Sequence, residues 1–322
     1  MAAEETRNFV PRADGEGGIG TAEKRWKEIN VLEVIIGGVN IKEAVEGGQY
    51  ATIPNMIHSA AMHNGLYRGK DLTEYMESGQ MSRDIAAGDF SKIYIGDYVI
   101  KTVTTAATTY TNKAGNSVTQ AAATYTSAKW LVAAIDPHLH CGDTETTAHH
   151  VLLIPASTLQ RNIGMNPTND ATGAYIGSDM WTKIMPIWTA AIKAAFGSDH
   201  VLSHRELLAN AINTTDQSTG GGMTGKSSGW TWVTVEGANI PNEAMVYGGS
   251  VFGSGYDVGD FPRMLPLYAL KCNHLEDRSW FWLRAVASSS RFANASNTGD
   301  AYSDGAANSA ANGGVRPYFL YR

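Results

Sequence analysis

The stretch from Trp280 to Phe319, WFWLRAVASSSRFANASNTGDAYSDGAANSAANGGVRPYF, decides how this chain is read. At its start Trp280, Phe281, Trp282 and Leu283 form a bulky apolar run, and at its end Val315 to Tyr321 forms a second. Both read as core strands. Between them, Ala285 to Gly314 is almost entirely Ala, Ser, Asn, Gly, Asp and Thr. A tract of that length with no hydrophobic period is either functional or disordered, and core strands at both ends tie this one down. Its small polar side chains offer adaptable hydrogen bonding, with Arg291, Phe292 and Tyr302 as anchors, much as antibody paratopes do. The expectation is a structureless, outward-facing ribbon on a rigid frame.

Composition supports a packed protein around that tract. Of the 322 residues, 43% are hydrophobic and 17% charged, enough apolar content for a sizeable core. The 34 glycines and eight tryptophans suggest tight turns between short strands, packed by large aromatic anchors. A net charge of −6 with no Lys/Arg run leaves no footprint for nucleic acid. The start, MAAEETRNFV, lacks the layout of a secretory signal, and no stretch approaches the roughly 18 apolar residues of a spanning helix, so no membrane insertion is expected. Cys141 and Cys272 are too few for a multi-disulfide scaffold; they leave room for a single bridge, with reduced thiols the expected state for a chain assembled in a cytoplasm.

Working outward towards the N-terminus, the segment types change several times. Residues 1–48 hold the β-branched run Ile29 to Ile41 around Gly37-Gly38, which predicts a hairpin too small to stand alone. Residues 49–84 carry helix formers and read as a helical connector. From 85 onward FSKIYIGDYVIKTVTT alternates with period two across Ile93, Ile95 and Val99, and Thr104 to Ser127 reads as a long hairpin or exposed insertion. KWLVAAID and HHVLLIPAS are two buried strands. GSDMWTKIMPIWTAAIKAAFG is the best helix, with Pro186 expected to kink or restart it. HRELLANAIN is a second helical candidate, and GWTWVTV, EAMVYG, MLPLYAL, SWFWLRAVA and RPYFLYR read as strands. The fold class is α+β.

Two motifs invite chemistry. Gly220 to Ser227 fits a phosphate-binding loop, but it precedes a strand instead of the helix that would meet phosphates, so it reads as a plain loop. His138, His140, Cys141, His149 and His150 form a dense cluster near Asp136, Asp143 and Glu145. No spacing there matches a zinc pattern, and adjacent His149 and His150 point to opposite faces of a strand. They read as structural histidines, and no metal or cofactor is expected. With no nucleophile elbow and no paired-histidine metal helix, no catalytic residues are expected either.

Several stretches together resemble one family. PRADGEGGIGTAEKRWKEI resembles the Gly-Thr…Arg-Trp segment of tail-fibre chains. FSKIYIGDYV, TAHHVLLIP, GMNPTNDATGAYIGSDMW, NEAMVYGGSVFG and MLPLY resemble successive landmarks of gut prophage proteins. WFWLRAVAS and GGVRPYF are similar to the frame bracketing a variable region. The family is the phage and prophage tail or fibre proteins with a C-type lectin-like C-terminal domain, many of them variable proteins of diversity-generating retroelements.

That resemblance implies a fibre-like segment over 1–48, a C-type lectin-like domain over 85–322, and a variable region at about 285–314. In the family, misread template adenines turn Asn-type codons into almost any NNY codon, which cannot encode Lys, Glu, Gln, Met or Trp. Ala285 to Gly314 contains none of those five. The ligand-facing residues so implied are Ser288, Ser290, Arg291, Asn294, Ser296, Asn297, Thr298, Asp300, Tyr302, Ser303 and Asp304. The resemblance further implies a receptor-binding homotrimer on a virion, assembled in a bacterial cytoplasm beside other virion proteins, with a host-surface protein or glycan as ligand. A structural tail or capsid component without receptor binding is the alternative. Calcium-dependent sugar binding is not expected, since Pro241-Asn242-Glu243 runs in a different order from the lectin loop and no Trp-Asn-Asp is present. The oxidative enzymes of this fold need two C-terminal cysteines, and only Cys272 lies there.

Overall fold

The computed structural model describes residues 60–322 except 215–225, 255–262, 272–275 and 308–313, together with two short strands nearer the N-terminus. The chain divides into two units, Met1–Ile53 and Pro54–Arg322. In the first, β1 (Ile35–Ile36) pairs antiparallel with β2 (Val39–Asn40), as the β-branched run predicts.

The second unit mixes helix and sheet. Three short helices, α1 (Ala60–Asn64), α2 (Thr73–Glu77) and α3 (Gln80–Ala86), occupy the stretch expected to be helical. Met76, Met81 and Ile85 on their inner faces lie in the core, so this stretch packs as part of the second unit. Ile93 and Ile95 are buried too, but the strand starts only at Tyr98. The Asp97 carboxylate accepts the Lys70 and Tyr94 amides (both 2.8 Å) and the Arg68 side chain, which holds the preceding backbone in a turn.

β3 (Tyr98–Thr105) leads into the Thr-rich insertion, where β4 (Thr108–Thr111) and β5 (Ser117–Gln120) form the expected hairpin. The long β6 (Ala123–Ile135) then returns along β3, and β7 (Val151–Pro155) and β13 (Phe319–Tyr321) complete a four-stranded antiparallel sheet in the order β13-β7-β6-β3. Every residue of β7 is buried, as its unbroken apolar run requires. Against this layer packs α4 (Met185–Phe196), burying Ile187, Trp188, Ala191 and Ile192. Pro186 sits in its first turn, directly after a π-helical turn at Met180–Ile184, so the helix runs on without a break and the irregularity expected there is that wider turn.

Three segments differ from their sequence reading. HRELLANAIN is strand β8 (His204–Ile212), paired with β9 (Ser227–Val235). Its helix propensity yields to a period-two pattern in which His204, Glu206 and Leu208 point inward, while Arg205 and Leu207 are only half-buried. The EAMVY and PLYAL segments are helices, α5 (Glu243–Tyr247) and α6 (Pro266–Leu270), not strands. The Asn242 side chain caps α5 by accepting the Met245 amide at 2.7 Å, and Gly248 takes the left-handed conformation after it. Pro266 opens α6.

The tract after Trp280 also differs. It is not a structureless ribbon: β10 (Phe281–Ser288), β11 (Arg291–Ala295) and β12 (Ala301–Ala306) form an antiparallel sheet. Phe292, Ala293 and Ala295 are buried, and buried backbone must find partners, which the ladder supplies. The frame closes as expected. Gly314 accepts the Trp282 amide (3.0 Å), Val315 donates to the Gln160 carbonyl (3.0 Å), and the Trp282 indole donates to the Ile163 carbonyl (2.7 Å). Arg316 is fully buried over the Phe281 ring and pairs with Asp277 at 2.5 Å.

Gly314 is there for close approach. A Cβ at this position would lie 2.1 Å from the Gln160 carbonyl oxygen, which is backbone and cannot swing aside. Gly314→Ala is expected to cost about 3 kcal/mol, the upper range of overpacking. Urea unfolding of the two chains measures it, and a cost near zero would contradict the contact.

Candidate binding surface

Most of the exposed polar residues of the tract hang on two turns at opposite ends of β11, about 13 Å apart by strand rise, and Tyr302 and Ser303 lie beside them on the edge strand β12. The first joins β10 to β11 and carries Ser288, Ser290 and Arg291. It rests on the segment from Asn166 to Ala171: the Ala171 amide donates to the Ser289 carbonyl (2.8 Å), and the Asn166 amide donates to Ala307 (2.8 Å). Ala307 in turn donates to the Ser290 carbonyl at 2.8 Å. The first turn and the end of β12 beside it are thus both fixed to a second, separate loop.

The second turn joins β11 to β12 and is ordered from within. The Ser296 amide donates to the Asp300 carbonyl (2.9 Å), and Gly299 at φ 97° completes the reversal. Ser296 and Thr298 hydroxyls meet at 2.7 Å, and Thr298 donates to the Asp300 carboxylate at 2.9 Å. From below, the Tyr247 hydroxyl donates to the Gly299 carbonyl (3.2 Å). Hydroxyls and a carboxylate are therefore presented on a shaped turn and pay little further ordering entropy on binding.

Nine of the sequence-derived residues face solvent to some degree. Arg291, Asn297, Thr298, Asp300 and Tyr302 are exposed, with Tyr302 at 48%. Ser288, Ser290, Ser296 and Ser303 are half-buried. Asn294 is a correction: at 4% exposure it belongs to the frame, because it sits mid-strand on β11 between Trp282 of β10 and Tyr302 of β12. Phe292 likewise anchors the core and not a ligand. Asp304 lies on β12, its side chain outside the described residues.

Beneath β10 lies a polar cluster that the sequence reading missed. Arg284 points inward and pairs with Glu206 of β8, both fully buried. The Glu206 carboxylate accepts from His204 (2.7 Å) and Tyr318 (2.5 Å) on one oxygen, and from Arg284 and Asn239 (3.3 Å) on the other. Burial alone would raise the Glu206 carboxyl, but Arg284 and then His204 hold it well below the usual carboxylate range. Burial likewise works against the Arg284 charge, and Glu206 restores it. The cluster ties the sheet bearing both turns to β8 and to the C-terminal run. One signal was readable: an arginine inside the apolar run WFWLRAV demands a buried anionic partner.

No protein-family model, curated protein or solved structure matches this chain.

The histidines separate by environment. His140 is exposed and pairs with Glu145 (3.2 Å), while His149 pairs with Asp136 (2.7 Å). His150 is buried: its Nδ1 donates to the Ala148 carbonyl (2.8 Å), and its Nε2 accepts the His138 amide (3.2 Å). Cys141 is in no disulfide, and Cys272 lies outside the described residues. Gly220 to Gly225 lie outside them as well, but strand β9 follows directly at Ser227, where a phosphate loop needs a helix. Among the described residues no helix is long and apolar enough to cross a membrane.

Burial pushes the His150 imidazole down from 6.5 to about 3. The folded chain therefore keeps it neutral while the unfolded chain takes up a proton below about pH 6.5. Stability is full above that pH and falls as pH drops towards 3, by about 2 kcal/mol between pH 7 and pH 5. Urea unfolding at the two pH values is expected to show this loss, reduced in His150→Gln. An equal loss in both chains would contradict it.

Proposed function

We propose that this chain is a phage-type receptor-binding protein whose C-terminal domain, on a C-type lectin-like scaffold, displays a diversified surface to a host protein or glycan. The observation that carries the reading is the division within one short sheet. Its core positions, Trp282, Phe292, Ala293, Asn294 and Ala295, are buried, and small polar side chains gather on the two turns at its ends, with Tyr302 and Ser303 on the edge strand β12. Replacing turn residues leaves the packing intact, so the surface is free to differ while the fold persists. The absence of Lys, Glu, Gln, Met and Trp from Ala285 to Gly314 is what NNY diversification would leave.

Recognition on such a surface works by shape and hydrogen bonding, with Tyr302 and Arg291 as the residue types that most often dominate interfaces. Two small turns make a modest interface, so display as a homotrimer on a virion would supply the avidity, by roughly 10²–10⁴-fold. Light scattering that finds a monomer at all concentrations would refute the trimer.

The test uses the full chain with Arg291, Asp300 and Tyr302 changed together to Ala, against arrays of bacterial surface glycans and outer-surface proteins. The unchanged chain is expected to bind at least one feature that the triple variant binds more than about 10-fold more weakly, since two such anchors carry at least 1.4 kcal/mol. Identical binding by the two chains, with particle assembly disturbed instead, would favour a structural virion component.

A further inference from the structure

We propose that His138, His204 and Glu206 form a binding site for a divalent transition ion of the zinc class, entered from the cleft between the Thr144–Ala148 loop and the start of β8. His204 and Glu206 lie two residues apart on the inward face of β8 and His138 follows the end of β6; all three are fully or almost fully buried, and their ligand atoms lie within 4.8 Å of one another. Two imidazoles and one carboxylate are a donor set that suits zinc. Ligand atoms about 2.0–2.1 Å from a tetrahedral ion sit about 3.4 Å apart, so a side-chain shift of about an ångström closes the widest gap.

The surroundings are arranged as a metal site's outer layer is. Arg284 and Asn239 hold Glu206 Oε2, and Tyr318 steadies Oε1. Hydrogen bonds of this kind orient ligating carboxylates. The ion would replace the 2.7 Å bond from His204 Nε2 to Glu206 Oε1, with the imidazole proton moving to Nδ1. The neighbouring histidines are committed elsewhere: both nitrogens of His150 are hydrogen-bonded, and His149 and His140 pair with Asp136 and Glu145.

Access is the second observation. His204 lines a cleft of about 460 Å³ together with Thr144 to Ala148, Arg205 and Thr234. The His204 imidazole itself has no exposed surface, so the trio lies behind this wall and an ion would enter by a small displacement of it. Because Arg284 already balances Glu206, the charge of the ion has to be met from the cleft side. The fourth position would take solvent hydroxide, as open zinc sites do.

The test begins with the full chain, its affinity tag removed, purified without chelator and analysed for metal by plasma mass spectrometry. About one zinc per chain is expected. The chain is then stripped with a chelator and titrated with zinc alone and cobalt alone. Zinc should raise the melting temperature by several degrees, and cobalt should give the visible absorption of a tetrahedral nitrogen- and oxygen-ligated ion. His138→Gln and His204→Gln should lose the metal, whereas His140→Ala and His149→Ala should keep it. Zinc that follows His140 or His149 overturns the assignment. So does an unchanged melting temperature and cobalt spectrum in the stripped wild-type chain, a readout that stands even where a buried variant fails to fold.

Discussion

Arg284→Met is expected to lower the unfolding free energy by about 3–5 kcal/mol, because it strands a carboxylate that has no water to turn to. Glu206 is fully buried and its four donors include only one permanent cation, Arg284. Methionine matches the aliphatic length of the guanidinium arm but supplies neither charge nor donor. The carboxyl must then ionise unpaired or take up a proton, and either route draws on stability. Removing both partners behaves differently. Arg284→Met with Glu206→Leu leaves neither member of this buried pair charged and is expected to recover most of the loss, since apolar replacements of a buried pair are often neutral. Urea denaturation of the three chains tests this. A single-variant cost below about 1 kcal/mol would mean that the pair is solvated and does not pin β10.

Trp282→Ala should be equally severe, at about 3–5 kcal/mol, the usual range for truncating a core aromatic. The Trp282 side chain is fully buried, packs edge-on against Trp280 at 4.8 Å and donates to the Ile163 carbonyl. Truncation leaves a cavity and an unpaired carbonyl together. The contrast lies a short way along the same sheet. Ser296→Ala and Thr298→Ala, on the second turn, should cost under about 0.5 kcal/mol each, because their partners are hydroxyls, a carboxylate and the exposed Thr298 amide, all of which water can replace. Thermal or urea unfolding decides it, and equal costs in the two groups would erase the distinction between frame and display.

Much of the frame was legible in the sequence. The apolar runs around Trp282 and Phe319 form strands, GWTWVTV forms β9, and the periodic stretch around Trp188 forms a helix with a π-helical turn just before Pro186. Segments were misread where tertiary pairing or capping outweighed composition. HRELLANAIN looks helical until β9 pairs with it. EAMVY looks like a strand unless the Asn242 cap is noticed. The polar tract stood out by its side-chain poverty, but not its ladder: Asn294 and Phe292 carry no mark in the sequence that separates a strand centre from a turn. The buried cluster was least legible, since Glu206, Arg284, His138 and Tyr318 meet only through the fold.

The most direct measurement is a saturation scan of codons 285–314, one position at a time with NNY mixtures, sorted for protease-resistant folded chains and sequenced. Broad tolerance is predicted at Ser288, Ser290, Arg291, Asn297, Thr298, Asp300, Tyr302 and Ser303, with near-complete rejection at Phe292, Ala293, Asn294 and Ala295. Uniform tolerance along the tract, or rejection concentrated on the turns, would contradict a rigid sheet that carries replaceable decoration.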